Sequence, residues 1–253
     1  MKHFRDFLMV FVMGTVLLAC SKSNSPETEP ELPPEGAQVT FYKVHRVENL
    51  AAEADDKNPT VAKKAVFFSL ETKLEMPLTY AKTARWDIAL NGLYNSFFSG
   101  NNGANSQNSG TGGPGKGGIL IVEKPFDEVV EIPAESQFKT GNILIGTDNA
   151  GAFGEGIGWY LYDFGGDVVG DASHDKMHVA YALGSALKLK DGTTVPARTM
   201  IVRTAKGNYA KIKMISCYKD AFTPDKWFRN TPHMYFTFEY VIVPAGSTKF
   251  EIK

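Results

Sequence analysis

Two neighbouring segments that end near residue 218 constrain the fold more than any other part of the chain. Residues Arg198–Arg203 (RTMIVR) are rich in apolar and β-branched side chains and predict a strand. Residues Tyr209–Tyr218 (YAKIKMISCY) alternate with a period of two, which is typical of a half-buried strand. One face carries Tyr209, Lys211, Lys213, Ile215 and Cys217, and the other carries Ala210, Ile212, Met214, Ser216 and Tyr218. Gly207, between the two segments, can adopt the positive φ of a tight turn. The pair therefore predicts an antiparallel β-hairpin.

Short strand-like segments recur along the rest of the chain, and no ten-residue segment after residue 37 has a helical period. Residues 48–56 could form a short helix or an exposed loop. Many short strands separated by Gly and Pro indicate a sandwich or a barrel-like domain. We therefore predict a single all-β, antiparallel domain over residues 38–253. Its further strand candidates are Val39–Val44, Ala65–Leu70, Arg85–Leu90, Ile119–Val122, Met234–Val243 and Thr248–Lys253.

Residues 99–118 (SGNNGANSQNSGTGGPGKGG) contain mostly Gly, Asn and Ser. A glycine-rich segment can cradle a phosphate, but it then needs the GxxxxGK[ST] pattern and a following helix. This segment has neither, and a strand is predicted after it. We predict a mobile connecting loop.

The charge and the cysteines exclude several classes of protein. The formal net charge is -1 and there is no run of Lys and Arg, which argues against a nucleic-acid partner. The chain has two cysteines, Cys20 and Cys217. Cys217 lies in a predicted strand and is expected to be a buried thiol without a disulfide partner. No Cys/His cluster has the spacing of a zinc site.

The N-terminus has the pattern of a bacterial lipoprotein signal. A basic start is followed by the apolar run Phe7–Leu18, which is too short to span a membrane, and then by Leu17-Leu18-Ala19-Cys20. This ending resembles a lipobox, which implies removal of residues 1–19 and lipidation of Cys20. An uncleaved short anchor is the alternative. Residues 20–37 are acidic and proline-rich, and we expect a disordered tether.

Taken together, several motifs make the chain similar to the HmuY family of Bacteroidetes heme-binding, hemophore-like lipoproteins. The resemblance covers most of residues 38–253, and its most specific part is the hairpin sequence VRTAKGNYAKI. The motifs are the lipobox at Cys20, Phe67–Leu70, Trp86–Leu90, the glycine-rich run that ends at Gly118, Gly158–Asp163 and Val202–Ile212.

This resemblance implies an all-β fold whose extended hairpin fingers hold one heme between two axial ligands, either His/His or Met/Met. It also implies a surface lipoprotein that takes heme from host hemoproteins and passes it to an outer-membrane transporter. In the family one ligand precedes the Gly158-Trp159 motif and the other follows it. Residues 119–157 contain neither His nor Met, so only the second ligand has a counterpart here.

All candidates for that ligand lie in the polar segment after Asp163. Imidazole and thioether groups suit heme iron, and the segment contains His174, Met177 and His178. On a strand, His174 and His178 would lie about 13 Å apart on one face. Met177 or His178 is our best single ligand. A solvated polar loop, or a site for another metal that includes Asp171 and Asp175, are the alternatives.

The remaining candidates favour structural roles. We expect His45 and His233 at packing or edge positions, and Trp86 and Trp159 in the core. Tyr160 and Tyr162 could stack on a porphyrin but are more typical of a core. Arg203 and Lys211 could meet heme propionates but are expected to be solvated hairpin charges.

We find no motif of a hydrolase, neither GxSxG nor HExxH, and predict no enzymatic activity. The expected function is non-catalytic heme binding at the outer membrane, with the lipid-anchored chain on the cell surface or, alternatively, on the periplasmic face. The alternative function is an HmuY-fold surface lipoprotein without heme that acts in adhesion or assembly.

Overall fold

The structure is a computed structural model that describes residues 38–253, so the predicted signal peptide (1–19), Cys20 and the predicted tether (20–37) lie outside the described residues. The described residues form thirteen strands and six single-turn 3-10 helices. None of these helices is long enough to cross a membrane. The strands are β1 (Val44–Ala51), β2 (Val66–Ser69), β3 (Leu74–Met76), β4 (Ile88–Asn91), β5 (Phe97–Gly100), β6 (Gly118–Val122), β7 (Tyr160–Asp163), β8 (Val179–Ala182), β9 (Leu187–Lys188), β10 (Thr194–Val195), β11 (Thr199–Arg203), β12 (Tyr209–Tyr218) and β13 (His233–Val243). The 3-10 helices are Leu78–Tyr80, Leu93–Asn95, Phe126–Glu128, Glu135–Gln137, His174–Lys176 and Pro224–Lys226.

The predicted hairpin lies within a five-stranded antiparallel sheet of order β1-β13-β12-β11-β6. Strands β11 and β12 pair with Met200 opposite Ile212. Gly207 has a φ of 93° in the turn between them, where a side chain would be strained. The hairpin and the all-β, antiparallel fold class are therefore confirmed.

A second sheet, of order β3-β2-β4-β5, packs against one face of the first. Aromatic rings make the contact: the Phe68 and Phe238 centroids are 5.8 Å apart, and those of Phe98 and Phe236 are 5.9 Å apart. The Tyr240 hydroxyl donates a hydrogen bond of 2.9 Å to the Leu70 carbonyl across the two sheets. This interface forms the main core, and Trp159 is buried in it. Trp86 is buried in a smaller cluster with Phe67, on which its ring stacks at 4.3 Å.

The opposite face of the five-stranded sheet is also covered, which the alternation in β12 did not predict. A second buried cluster lies there, formed by residues such as Phe126, Ile201 and Phe250. The prediction of a solvated Lys211 is wrong, because this residue is only 2% exposed. Its ammonium donates to the Phe126 carbonyl at 2.7 Å and to the Val129 carbonyl at 2.9 Å. Burial lowers the pKa of Lys211, and the nearby Asp127 opposes this effect.

The first and last predicted strands are misplaced. Strand β1 begins at Val44, where the predicted strand ends, and it includes residues 48–51, where a helix or loop was allowed. A register irregularity between Val47 and Leu50 disturbs its pattern, and Asn49 there has a φ of 53°. Residues 248–253 do not form a strand. They are fixed instead by the hydrogen bond from Phe250 N to the Val130 carbonyl, 2.7 Å, and by burial of the Phe250 ring.

Residues 101–117 connect β5 to β6, as predicted for a connecting loop, but the loop is packed rather than exposed. Asn101, Asn102 and Asn108 are buried. The Asn108 amide donates to the carbonyls of Gly100, Thr140 and Gly141 at 2.7–2.9 Å. The polar side chains of this loop therefore form hydrogen bonds inside the protein.

Two hairpins, β7–β8 and β9–β10, lie outside the two larger sheets. The first is fixed by its tryptophan: the Trp159 indole donates to the Ser96 carbonyl at 2.7 Å. Residues 38–253 form one compact unit. Because this unit contains both larger sheets and all three buried clusters, it carries its own core.

Candidate functional site

The segment that holds the predicted ligands joins β7 to β8 and spans residues 164–178. Its start is folded around Asp163, whose carboxylate is fully buried. The two carboxylate oxygens accept hydrogen bonds of 2.9–3.2 Å from the backbone N–H groups of residues 167–170. The end of the segment returns to its start through a hydrogen bond of 3.2 Å from His178 N to the Phe164 carbonyl.

A second buried carboxylate organises the loop before β7. The side chain of Asp148 accepts bonds from Ala150 N at 2.9 Å and from Gly158 N at 3.0 Å. It also pairs with the Arg198 guanidinium, with Nε at 2.9 Å from the carboxylate oxygen. The loop closed in this way carries Phe153 at its outer side, where the ring is 74% exposed.

The two loops and strand β7 bring four rings together in an aromatic patch of Phe153, Tyr162, Phe164 and His178. The ring centroids lie 4.8–6.3 Å apart, with Phe164 and His178 the nearest pair. Phe164 is 48% exposed, and Phe153 more so. Exposed aromatic rings that contact one another are typical of a binding surface rather than of a core. The patch therefore marks the candidate site.

His178 is the predicted ligand that belongs to the patch. Its Nδ1 lies 2.9 Å from the Tyr162 hydroxyl, and its Nε2 has no hydrogen-bond partner among residues 38–253. Burial and, second, the charge of Arg229 lower the pKa of His178, while Asp56 opposes them. The backbone φ of 60° at His178 is uncommon outside glycine and fixes the direction of the ring. A neutral imidazole with one free nitrogen can bind a metal or accept a hydrogen bond.

Met177 and His174 are placed less favourably. Met177 is half-buried next to His178. The side chain of His174 is 71% exposed, and its Nδ1 lies 3.7 Å from the Asp175 carboxylate. Within the described part of the chain, no three His, Cys, Asp or Glu side chains are grouped as a metal site. The structure thus groups His178 with aromatic rings and not with other potential ligands.

The segment that precedes β13 supports the end of the 164–178 segment. Lys176 donates to the Trp227 carbonyl at 3.0 Å, and its ammonium lies 3.7 Å from the centre of the Phe228 ring. Arg229 N donates to the Asp175 carbonyl at 2.8 Å. These contacts place the Arg229 side chain near the patch.

A polar cleft of about 280 Å³ lies at the same segment and is lined by Asp56, Arg229 and His233, among others. His233 Nε2 lies 3.1 Å from the Asp56 carboxylate, and His233 Nδ1 lies 3.0 Å from the Thr231 carbonyl. Both nitrogens of His233 are therefore occupied. Tyr94 is also hydrogen-bonded to Asp56. Burial first, and then this carboxylate, raise the pKa of Tyr94 to about 12.

Most residues predicted to be structural are found in structural positions, but the prediction of Tyr162 as a core residue is wrong, because its half-buried ring belongs to the aromatic patch. His45 lies on β1, with its ring 5.2 Å from that of Tyr240. Tyr160 is buried, and its hydroxyl lies 3.0 Å from the Ser96 hydroxyl. Cys217 is a buried free thiol, and burial raises its pKa to about 12. Arg203, which was expected to be a solvated hairpin charge, is partly buried and pairs with Glu135.

Sequence reasoning did not find Phe153, Phe164 and Arg229. For the two phenylalanines a signal exists: each stands in a Gly-rich loop sequence, GAFGE and DFGGD, where neither a strand nor a helix can bury the ring. For Arg229 no signal exists in the sequence, because its position beside the patch results from contacts between distant segments.

No curated protein matches the chain. Among solved structures, the apo HmuY analog of Tannerella forsythia is 14% identical, with 79% of this chain and 97% of that chain covered and a TM-score of 0.32. A Bacteroides fragilis protein assigned as a lipoprotein is 15% identical, with 83% and 96% covered and a TM-score of 0.31.

The family model described as "HmuY protein" matches residues 62–240. This range begins just before β2 and ends within β13, so it includes both larger sheets except β1, and all of the aromatic patch. The chain therefore belongs to the HmuY family.

Proposed function

We propose that this chain is a non-catalytic surface lipoprotein that binds heme at the aromatic patch, with His178 as an axial ligand, and passes it to an outer-membrane uptake system. The observation that carries the proposal is the free Nε2 of His178 beside exposed aromatic rings. Family membership supports the same class of binding protein.

The hydrogen bond of His178 suits a ligand to iron. When Nε2 carries the lone pair, Nδ1 carries the proton and donates to the Tyr162 hydroxyl oxygen at 2.9 Å. Such a bond at the second nitrogen fixes the tautomer and orients a ligating imidazole. The lowered pKa, caused first by burial, favours the neutral ring that metal binding requires.

The other rings of the patch would provide an apolar surface for the macrocycle. Phe153 and Phe164 meet edge to face, with an interplanar angle of 87° and centroids 5.6 Å apart. Both rings present exposed apolar area, which a planar ligand would remove from water. The residues present therefore fit a porphyrin with one axial ligand.

Met177 is unsuited to be the second ligand of the same iron. Axial ligands lie on opposite faces of a porphyrin, and consecutive Cα atoms are only about 3.8 Å apart. Met177 and His178 are consecutive, so they cannot flank one macrocycle. His174, exposed and four residues earlier, remains the second candidate in this segment.

The proposed location and partners follow from the N-terminal motif and the family. Lipidation at Cys20 would hold the chain at the outer membrane, on the cell surface, with residues 20–37 as a tether. The proposed partners are host hemoproteins as heme donors and an outer-membrane heme transporter as acceptor. An open patch suits transfer, since heme can leave it without opening a core.

The alternative is an HmuY-fold surface lipoprotein that binds no heme and acts in adhesion or assembly. The exposed apolar area of Phe153 and Phe164 favours it, because such patches also form protein interfaces. The two functions differ in whether the protein binds hemin: the first requires binding, and the second excludes it.

The test is an absorbance titration of residues 32–253 with hemin, beside His178→Ala, His174→Ala and Met177→Ala. We expect a saturable Soret shift in the unmodified protein and in Met177→Ala, and its loss in His178→Ala. His45→Ala is the matched control, because His45 bonds the Thr40 carbonyl through Nε2 at 2.7 Å and lies outside the patch. A linear titration of the unmodified protein would reject heme binding and favour the alternative function.

A further inference from the structure

One charged side chain close to the aromatic patch, that of Arg229, has no partner among the described residues. Arg229 is half-buried, and its guanidinium forms neither an ion pair nor a hydrogen bond with any residue in the range 38–253. Its backbone is fixed by the bond from Arg229 N to the Asp175 carbonyl, 2.8 Å. A guanidinium that is partly removed from water and unpaired favours an anionic ligand, which it can bind through two parallel hydrogen bonds.

The acidic group of the same cleft, Asp56, forms no ion pair with Arg229 and is bonded to other side chains. The Asp56 carboxylate is bonded by His233 Nε2 at 3.1 Å and by the Tyr94 hydroxyl. Lys176, the other cation nearby, is committed to the Trp227 carbonyl and the Phe228 ring. Among these charges, the guanidinium of Arg229 is the one left without a partner.

Arg229 lies where the cleft meets the segment that carries His178. Its backbone N–H donates to the carbonyl of Asp175, three residues before His178. Arg229 also lines the cleft of about 280 Å³. Its positive charge is close enough to act on the side chains of both His178 and Tyr162.

We propose that Arg229 binds a carboxylate of the planar ligand on the patch, and that the site therefore selects porphyrins with free carboxylate side chains over their neutral esters. This inference rests on the proposed function and deepens it, because it assigns a specificity-determining residue to the same site. The ring system would lie on the aromatic patch and its acidic side chain would extend into the cleft.

The test compares protoporphyrin IX with its dimethyl ester, each followed by porphyrin fluorescence, on residues 32–253. Arg229→Gln should weaken binding of the diacid about ten- to one-hundredfold, the effect of losing a charge-assisted hydrogen bond, and leave the diester unchanged. Arg229→Lys should restore part of the loss. Lys226→Gln is the control, since it removes an exposed positive charge three residues away.

Each outcome has a separate meaning. Equal weakening of diacid and diester by Arg229→Gln, or no weakening of either, would overturn the role of Arg229 while heme binding stands. Absence of saturable binding of both porphyrins and of hemin to the unmodified protein would overturn the proposed function, and the carboxylate site with it.

Discussion

Two polar segments of this chain look alike in composition but differ in what their side chains do. Residues 99–118 contain mostly Gly, Asn and Ser, and residues 164–178 contain mostly Gly, Asp and small residues. In the first segment the side chains bond the protein's own backbone: Asn108 alone donates to three carbonyls and accepts from Asn102 N and Gly110 N. In the second, His178 keeps a nitrogen free.

Polar composition alone therefore does not indicate a binding site. Most buried polar groups find a partner, because leaving one unpaired is costly. Where the partner is internal, as for Asn108, the segment is structural. Where a half-buried group lacks an internal partner, as for Arg229 and His178 Nε2, the partner can be a ligand.

The largest effect on stability is expected for Asn108→Ala. The change removes the side-chain amide that donates to the carbonyls of Gly100, Thr140 and Gly141. We expect the free energy of unfolding to fall by about 3–4 kcal/mol in urea titrations. Gln107→Ala is the control, since this side chain is exposed in the same segment, and it should change stability by less than about 0.5 kcal/mol. Equal effects of the two variants would refute a structural role for the network.

A smaller loss of unfolding free energy is expected for Asp163→Asn, whose carboxylate organises the segment of residues 164–178. An amide in place of the carboxylate directs N–H groups at some of the backbone donors of residues 167–170. We expect a loss of about 2–3 kcal/mol in unfolding free energy, together with faster amide hydrogen exchange across 164–178. Asp167→Asn, at an exposed carboxylate in the same turn, should change neither measurement.

The sequence predicted those parts of the fold that depend on local pattern. The ends of β12 were predicted correctly, because strand alternation and the Gly207 turn are properties of neighbouring residues. Strand β1 was misplaced, because its register irregularity near Asn49 interrupts the alternation. The burial of Lys211 depends on a second apolar layer that comes from distant segments.

The candidate site was predictable only in part. His178 was named from its residue type and from the family resemblance, and it is the candidate that the structure places among aromatic rings. The patch itself joins rings from residues 153, 162, 164 and 178, whose meeting depends on the buried carboxylates of Asp148 and Asp163. Such a meeting is a tertiary property without a local sequence pattern.

The unfolding free energy is expected to depend on pH through Asp87, a buried carboxylate with a structural role. Asp87 is fully buried beside residues 99–118, and its carboxylate accepts from Leu70 N and Ala205 N. Burial, and then the charge of Glu71, raise its pKa to about 7. The folded state thus binds a proton that the unfolded state releases near pH 4, so this group lowers stability as pH rises from about 4 to about 7.

The measurement for Asp87 is the difference in unfolding free energy between the unmodified protein and Asp87→Asn at several pH values. Relative to Asp87→Asn, the unfolding free energy of the unmodified protein should fall by at most about 1.4 kcal/mol per pH unit between about pH 4 and 7. Above about pH 7 this difference should stay constant. A difference independent of pH would show that Asp87 is ionised in the folded protein throughout, with its backbone donors outweighing burial.

The smallest effect on stability is expected for Phe153→Ser, in contrast to the large effect expected for Asn108→Ala. The ring is 74% exposed, so its loss should change unfolding free energy by less than about 0.5 kcal/mol. Its contacts with Tyr162 and Phe164 make it part of the proposed ligand surface, so hemin affinity should fall several-fold in the absorbance titration. Val61→Ser removes an apolar side chain that is 57% exposed outside the patch, and it should leave both quantities unchanged. Phe153 should therefore contribute to ligand binding and not to folding. A large loss of stability in Phe153→Ser would contradict this assignment.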